Sequence, residues 1–311
     1  KDMTVWEHLH DGTNVIEQGL GGTYDNGREN GKIRYIVRAY PVLEKQRTAR
    51  EYIQEFVFTK DISEDYNHEV TLDLAPGDYS IMVWSDLMES GAGNPHHNAD
   101  DFAEITLQGD HEANNDYRDA FRGTGNISLA ADVTEQVPGT LAITMQRPLA
   151  KFEVITNDLA EFIEKQTLGM AAGNDGVKSA EENPEARIRF EDYRVVFYYV
   201  GFMPDTYSMF TDKPVDSVTG VTFQSVLRRM DDAQATLGFD YVFVNGKESA
   251  VTVRIGIYDD EGTQLSLTEP IEIPLKRNHH TVLRGKFLMS EASGGVTINP
   301  NFDGDHNLIF P

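Results

Sequence analysis

From Lys32 the chain alternates strictly, with Ile33, Tyr35, Val37 and Ala39 on one side and Arg34, Ile36, Arg38 and Tyr40 on the other. A period of two predicts a half-buried β-strand. Gln54 to Thr59, carrying Phe56, Val57 and Phe58, predicts a second strand. Val70, Leu72 and Leu74 alternate into Ala75-Pro-Gly-Asp78, after which Tyr79, Ile81 and Val83 resume the pattern, so these two runs predict a hairpin. After Trp84 the chain turns polar. Ser85 to Gly125 predicts a long surface excursion with one short strand near Phe102 to Leu107. Ile127 to Ala130 and Thr140 to Met145 predict two more strands.

Alternation restarts at Ala150, Phe152 and Val154 and then changes period: Leu159, Phe162 and Ile163, at spacings of three and four behind Asn157 and Asp158, predict the one convincing helix. Gly169 to Glu185 is small and polar and predicts a loop. Strands are predicted again at Tyr193 to Phe202, Gly220 to Leu227 and Gly238 to Val244. Asn245-Gly246 between two alternating runs, the second being Ala250 to Tyr258, predicts a hairpin. Asp260-Glu-Gly262 turns the chain into Gln264 to Leu267, and Pro270 and Pro274 place Ile271 to Leu275 at a sheet edge. Thr281 to Met289 is a further strand, and 295–311 a weakly apolar strand tail. Many short strands, one helix and frequent turn signals predict an all-β protein built of β-sandwiches.

At 311 residues the length suggests two domains. The boundary falls at Arg147-Pro148, where one strand closes and another opens, giving units 1–147 and 148–311. Pro148 restricts Arg147 to extended geometry, so the joint should be short and stiff. The 51 acidic against 27 basic side chains leave a charge of −24, which opposes contact with phosphate backbones and speaks against a nucleic-acid partner. There is no cysteine, hence no disulfide and no thiolate metal site. No apolar run approaches the roughly 20 residues of a membrane helix.

Candidate chemistry is sparse. His8 with His10, His96 with His97, and His279 with His280 are the histidine pairs; neighbours on a strand point to opposite faces and cannot easily share one ion. The clusters Asp231-Asp232, Asp259-Asp-Glu261 and Asp303-Gly-Asp305 offer oxygen ligands, yet turn chemistry accounts for each and none fits a twelve-residue calcium loop. There is no Gly-x-Ser-x-Gly and no phosphate loop. Tyr193, Phe197, Tyr198, Tyr199, Phe202 and Tyr207 form an aromatic concentration that would suit stacking on sugars, although half of them should be core. No enzyme, cofactor or metal is predicted.

Four stretches together resemble the fimbrillin superfamily of Bacteroidales, the subunits and accessory proteins of type V pili. They are Leu74-Ala-Pro-Gly-Asp-Tyr-Ser-Ile-Met-Val-Trp-Ser85, Asp119-Ala-Phe-Arg-Gly123, Arg147-Pro-Leu-Ala-Lys-Phe-Glu-Val154 and Gly238-Phe-Asp-Tyr-Val-Phe-Val-Asn-Gly246. The resemblance implies two tandem β-sandwich domains of transthyretin-like topology and export to the cell surface as an outer-membrane lipoprotein or fimbrium component. It also implies partners among other fimbrial subunits, with a host or bacterial surface ligand in addition. In such pili an arginine-specific protease removes an N-terminal strand, and a neighbour's strand fills the exposed groove by β-augmentation. Carried onto this chain, the processing residue is Arg28 in the loop 19–31, and the removed strand is Thr4 to Ile16. The donor-strand or groove residues are Val5, Trp6, Val15, Ile16, Val296, Ile298, Leu308, Ile309 and Phe310. The alternative reading is a surface glycan-binding lipoprotein that does not polymerise.

Overall fold

The computed structural model describes residues 3–4, 31–62, 67–89, 93, 95–131, 139–172, 188–246, 248–289 and 307–309. In chain order its first strands are β1 (Met3–Thr4), β2 (Lys32–Leu43), β3 (Arg47–Thr48), β4 (Gln54–Asp61), β5 (Asn67–His68), β6 (Gly77–Met88), β7 (His97–Asn98), β8 (Ile105–Leu107) and β9 (Ala120–Leu129). Then follow β10 (Leu149–Thr156), the helix α1 (Leu159–Ala172), β11 (Arg194–Tyr199), β12 (Phe202–Ser208), β13 (Lys213–Thr219), β14 (Thr222–Val226) and β15 (Arg228–Arg229). The last are β16 (Ala235–Phe243), β17 (Glu248–Tyr258), β18 (Gln264–Leu267), β19 (Ile271–Lys276), β20 (His280–Gly285) and β21 (Asn307–Ile309). The fold is all-β, as the pattern predicts, and α1 is the single α-helix among the described residues.

The strands stack in layers with apolar contents between them. The first sheet runs β4-β2-β6-β9, all antiparallel. One face carries Ile33, Tyr35, Val37 and Ala39 of β2 with Tyr79, Ile81 and Val83 of β6, the set that alternation predicts. Its covering comes from the segments around Val70 to Leu74 and Leu141 to Met145. At the other end of the molecule β15-β16-β10-β20-β21 faces β14-β11-β17-β18, with β19 also on β17, across a core of Phe152, Phe197, Ile255, Ile273 and Leu283. Leu159, Phe162 and Ile163 of α1 enter that core.

Between these sandwiches lies a third core. Ile36, Tyr40, Met82 and Trp84 on the second face of the first sheet pack against Phe239, Tyr241 and Phe243 of β16 and Tyr207 of β12. The β2 alternation predicts one buried face, but both are buried, because a second layer docks where the pattern leaves Arg34 and Arg38 among apolar neighbours. Arg34 bonds Asp86 at 2.8 and 2.6 Å, and Arg38 bonds Glu55 at 2.6 Å, so their charges enter the layer paired.

Four further expectations are corrected. Residues 70–74 form no strand with 79–83; they lie extended beside the first core while β6 takes β2 and β9 as neighbours. Thr140 to Met145 is likewise no strand, although Ile143 and Met145 are buried. Gly123 lets this segment come close: a Cβ there would stand 2.5 Å from Ile143 and 2.7 Å from the Met145 sulfur. Asn245-Gly246 joins no hairpin, since β16 and β17 belong to different sheets and β16 already has β10 and β15 on its two edges. Finally, Gly169 to Ala172 complete α1 instead of starting a loop.

The polar excursion 85–125 is the largest departure. Phe102 and Ile105 are wholly buried, and β8 pairs with β12 from the far half of the sequence, extending a sheet β13-β12-β8-β7 across the proposed boundary. Its buried charged side chains, Asp86, Asp116, Arg118 and Asp119, are ion-paired, while Asp101, Gln108 and Asp110 stay exposed.

Candidate functional site

β10 and β16 are buried along their whole length, with cores on both faces and strands on both edges. Such strands are ordinarily continuous runs of apolar residues. These two instead carry Lys151, Glu153 and Asp240, and buried charges are costly unless partnered. Glu153 is met by His280 of the neighbouring β20 at 3.3 Å, and the partners of Lys151 and Asp240 come from the excursion. A 3₁₀ turn, Asp116–Arg118, begins at Asn115, whose side chain accepts from the Tyr117 N–H at 2.8 Å. Asn114 anchors the approach by bonding Phe239 through both its backbone N–H and its side-chain oxygen.

From this turn three ion pairs cross to the second sandwich and its joint. The Arg118 guanidinium donates to Asp240 and to the Tyr241 carbonyl. Lys151 donates to Asp116 at 2.9 Å. Arg147 forks onto Asp119 at 2.8 to 3.0 Å and reaches Asn278 at 3.0 Å. A fourth tie, farther out, has Asp212 between Arg122 at 3.3 Å and Arg277 at 3.0 Å.

Asp240, 0% exposed, is the most heavily partnered residue of this seam. It accepts from Arg118, from the Tyr199 hydroxyl at 2.6 Å and from the Tyr241 N–H at 2.8 Å, and it bonds His111 Nε2 at 2.7 Å. Burial alone would raise its carboxyl, but Arg118, His111 and Tyr199 outweigh burial and hold it below the usual carboxylate range. Burial first, and then the Asp240 charge, push Tyr199 well above the ordinary phenol value.

Around Arg147-Pro148 the backbone is tied on both sides. Arg122 and Gln146 exchange backbone hydrogen bonds at 2.7 and 2.8 Å, Pro148 accepts from Val244 at 3.0 Å, and β10 begins at Leu149.

His97 adds a pH dependence. It is buried between Trp84 and Phe243, with ring centroids at 5.5 and 5.8 Å, and neither ring nitrogen has a hydrogen-bond partner among the described residues. Burial, then the charges of Arg118, His96 and Arg34, hold its imidazole well below 6.5. The folded state therefore refuses a proton that the unfolded chain accepts. This stability is complete above about 6.5 and falls toward the folded value by about 1.4 kcal/mol per pH unit. Urea titrations of wild type and His97→Phe between pH 7 and 5 should show that extra slope only in the wild type.

The second feature is the open side of the first core. Phe58, Val70, Leu72, Leu74, Ile127, Leu129 and Leu141 are only half-buried there, and Phe56 on the edge strand β4 is 46% exposed. β1 pairs with β5 beside this face, where His68 packs edge-on against Tyr35. Across the molecule β21 adds to β20 in parallel, with Leu283 opposite Leu308 and Arg284 opposite Ile309.

Of the sequence-predicted site residues, Leu308 and Ile309 thus lie in a sheet-edge strand, while Arg28, Val5, Trp6, Val15, Ile16, Val296, Ile298 and Phe310 lie outside the described residues. His8, His10 and Asp303-Gly-Asp305 lie outside them too. His96 sits 3.3 Å from Glu89 and 3.5 Å from Glu112, and His279 bonds the Arg277 carbonyl. No group of three or more metal-ligating side chains occurs among the described residues. Asp231 and Asp259 accept backbone N–H groups within their own turns. Of the aromatic concentration, Tyr193, Phe197, Tyr199 and Tyr207 are core, whereas Phe202 is 74% exposed and Tyr198 half-buried. The seam residues Asp116, Arg118, Asp119 and Asp240 escape pattern analysis. The available signal is a lone acid between aromatics in Phe239-Asp240-Tyr241.

Comparison with solved structures returns Bacteroidales proteins of fimbriae and adhesion. A candidate adhesin from Bacteroides ovatus is 9% identical with a TM-score of 0.41, over 78% of this chain and 70% of that one. The fimbrial anchor protein Mfa2 from Porphyromonas gingivalis is 12% identical with a TM-score of 0.39, over 75% and 72%. A fimbrial assembly protein from Parabacteroides distasonis is 11% identical with a TM-score of 0.37, over 87% and 88%. No curated protein matches the chain. The family described as "Family of unknown function (DUF6562)" matches residues 10–311, and the chain belongs to that family.

Proposed function

We propose that this protein is a non-enzymatic cell-surface subunit or adhesin of a fimbrium-like assembly, exported as an outer-membrane lipoprotein and joined to other fimbrial subunits by strand sharing. The observation that carries the reading is the row of half-buried apolar side chains from Phe58 to Leu141 over the first sheet. An inserted strand would bury alternate side chains in that row, each large one contributing about 1.5–3 kcal/mol, while its main chain bonds a sheet edge. β21, held by only three register positions at the rim of its sheet, is the kind of segment that could serve a neighbour. The units 1–147 and 148–311 act in this reading as two links of one stiff body. Because the acceptor and the donor differ, the contact is head-to-tail and extends without closing.

Cleavage at Arg28 by a trypsin-like protease is expected to convert monomer into a ladder of oligomers on size-exclusion chromatography with light scattering. Deletion of residues 290–311 should leave the cleaved protein monomeric. A chain that is cut at Arg28 and stays monomeric would sink the strand-sharing reading.

A second reading, glycan binding without polymerisation, is favoured by one observation. Tyr198 and Tyr258 join hydroxyls at 2.7 Å on the outer face of β11 and β17, and a Cβ at Gly256 would stand 2.7 Å from the Tyr258 ring. The ring therefore lies down over the glycine, as a sugar-stacking platform would. Binding on a glycan array that disappears in Tyr258→Ala is the expected result for this reading, and a blank array removes it.

A further inference from the structure

Of the three cations paired at the Asp116–Arg118 turn and Asp119, two are arginines, Arg118 and Arg147, and the third is Lys151. Arginine is the residue suited to buried ion pairs, because its planar fork spreads the charge over several donors. Lys151 has a different setting. Its ammonium and the Asp116 carboxyl are 5% and 2% exposed and stand 2.9 Å apart. The Phe239 ring lies 4.0 Å from Nζ and the Tyr241 ring 5.4 Å away, so the pair is enclosed by aromatic walls. The Tyr241 hydroxyl donates to Asp116 Oδ1, the oxygen that Lys151 contacts, at 2.7 Å. Asp116 Oδ2 is buried with no hydrogen-bond partner among the described residues.

An amine fixed against a carboxyl group, away from water, with a hydroxyl aimed at one carboxyl oxygen and nothing on the other, has the components of amide formation. We propose that Lys151 and Asp116 close an intramolecular isopeptide bond. The reaction starts from the amine and the acid, one proton transfer away from the ion pair, and that transfer removes both buried charges. The Nζ lone pair then attacks Cγ. Negative charge develops on Oδ1, where the Tyr241 O–H is already placed to stabilise it. The acid carries its first proton on Oδ2; a second passes from nitrogen to the same oxygen, which leaves as water, while Oδ1 stays as the amide carbonyl. Nζ–Cγ is formed, Cγ–Oδ2 is broken, one water is released and no redox partner is needed. Proximity replaces an activated acyl donor, since both groups are held at contact by the folded chain.

The bond would fasten the Asp116–Arg118 turn to β10, closing a loop between residues 35 apart in sequence. It would make the seam covalent whether or not the protein polymerises.

Intact mass spectrometry of the full chain under denaturing conditions is the test. The expected mass is one water below that of the sequence, and a tryptic digest should contain a joined peptide carrying Asp116 and Lys151, with no cleavage after Lys151. Lys151→Arg, which keeps the ion pair but cannot form this amide, and Asp116→Ala should both return to the full sequence mass. Tyr241→Phe should give a mixture of linked and unlinked chains. A wild-type chain at full sequence mass, or a water loss that maps to other residues, overturns the proposal. Complete linkage in Tyr241→Phe would remove the hydroxyl from the chemistry.

Discussion

Replacing Asp240 with alanine is expected to lower the unfolding free energy by about 3–5 kcal/mol. The loss exceeds that of an ordinary ion pair because of what remains. Arg118, buried and still positively charged, would face a cavity, while Tyr199 and His111 would lose their acceptor. An exposed pair on this protein, such as Arg229 with Asp232, is by contrast worth at most about 1 kcal/mol. Asp240→Asn, which keeps an acceptor oxygen, should lose less than Asp240→Ala. The double variant Arg118→Met with Asp240→Leu should recover most of the loss, since apolar replacement of a whole buried pair is often neutral or better. Urea denaturation measured by tryptophan fluorescence would decide this. If Asp240→Ala and the double variant unfold alike, the cost lies in the missing volume and not in the stranded charge.

Trp84→Ala should cost a similar amount, about 3–5 kcal/mol, for a different reason. Trp84 is fully buried in the shared core, beside His97 at 5.5 Å and Tyr207 at 6.4 Å, and its indole N–H donates to Asp86 at 3.0 Å. Removing it opens a cavity between the sandwiches and withdraws one donor from a fully buried carboxylate. Burial already raises the Asp86 carboxyl against the counter-effects of Arg34 and Trp84, so the loss of a donor raises it further. Trp84→Phe should retain most of the packing and lose mainly the hydrogen bond, about 1–3 kcal/mol. The cavity would open beside Ile36, His97 and Tyr207, within the core that also holds Tyr40 and Phe243. A single cooperative transition at lower denaturant is therefore expected by circular dichroism. Two separated transitions would mean that the sandwiches fold independently and that the shared core is dispensable.

Legibility in the sequence followed the range of the interactions concerned. The β2 face, the helix at Leu159, the Asp260-Glu-Gly262 turn and the edge position of β19 rest on neighbours in sequence or on the conformational limits of proline and glycine. Each appears where the pattern places it. The two predicted hairpins failed because a turn signal specifies a reversal, not the strand that will lie alongside. Gly77 to Met88 lies between β2 and β9, and both edges of β16 are taken by β10 and β15. The excursion 85–125 failed for a related reason. Polar residues near one another look solvated until their counter-charges arrive, and those of Asp116 and Arg118 are 35 and 122 positions away.

By itself the sequence determined an all-β chain, because alternation and turn chemistry are local and leave few other outcomes. The short joint expected at Arg147-Pro148 rests on proline alone, which denies the helical alternative there. Only the tertiary structure decided that a third core and a buried ionic seam unite the layers. Lone charges such as Asp240 and Lys151 reveal themselves as interior residues when distant strands bring the partners that make their burial affordable.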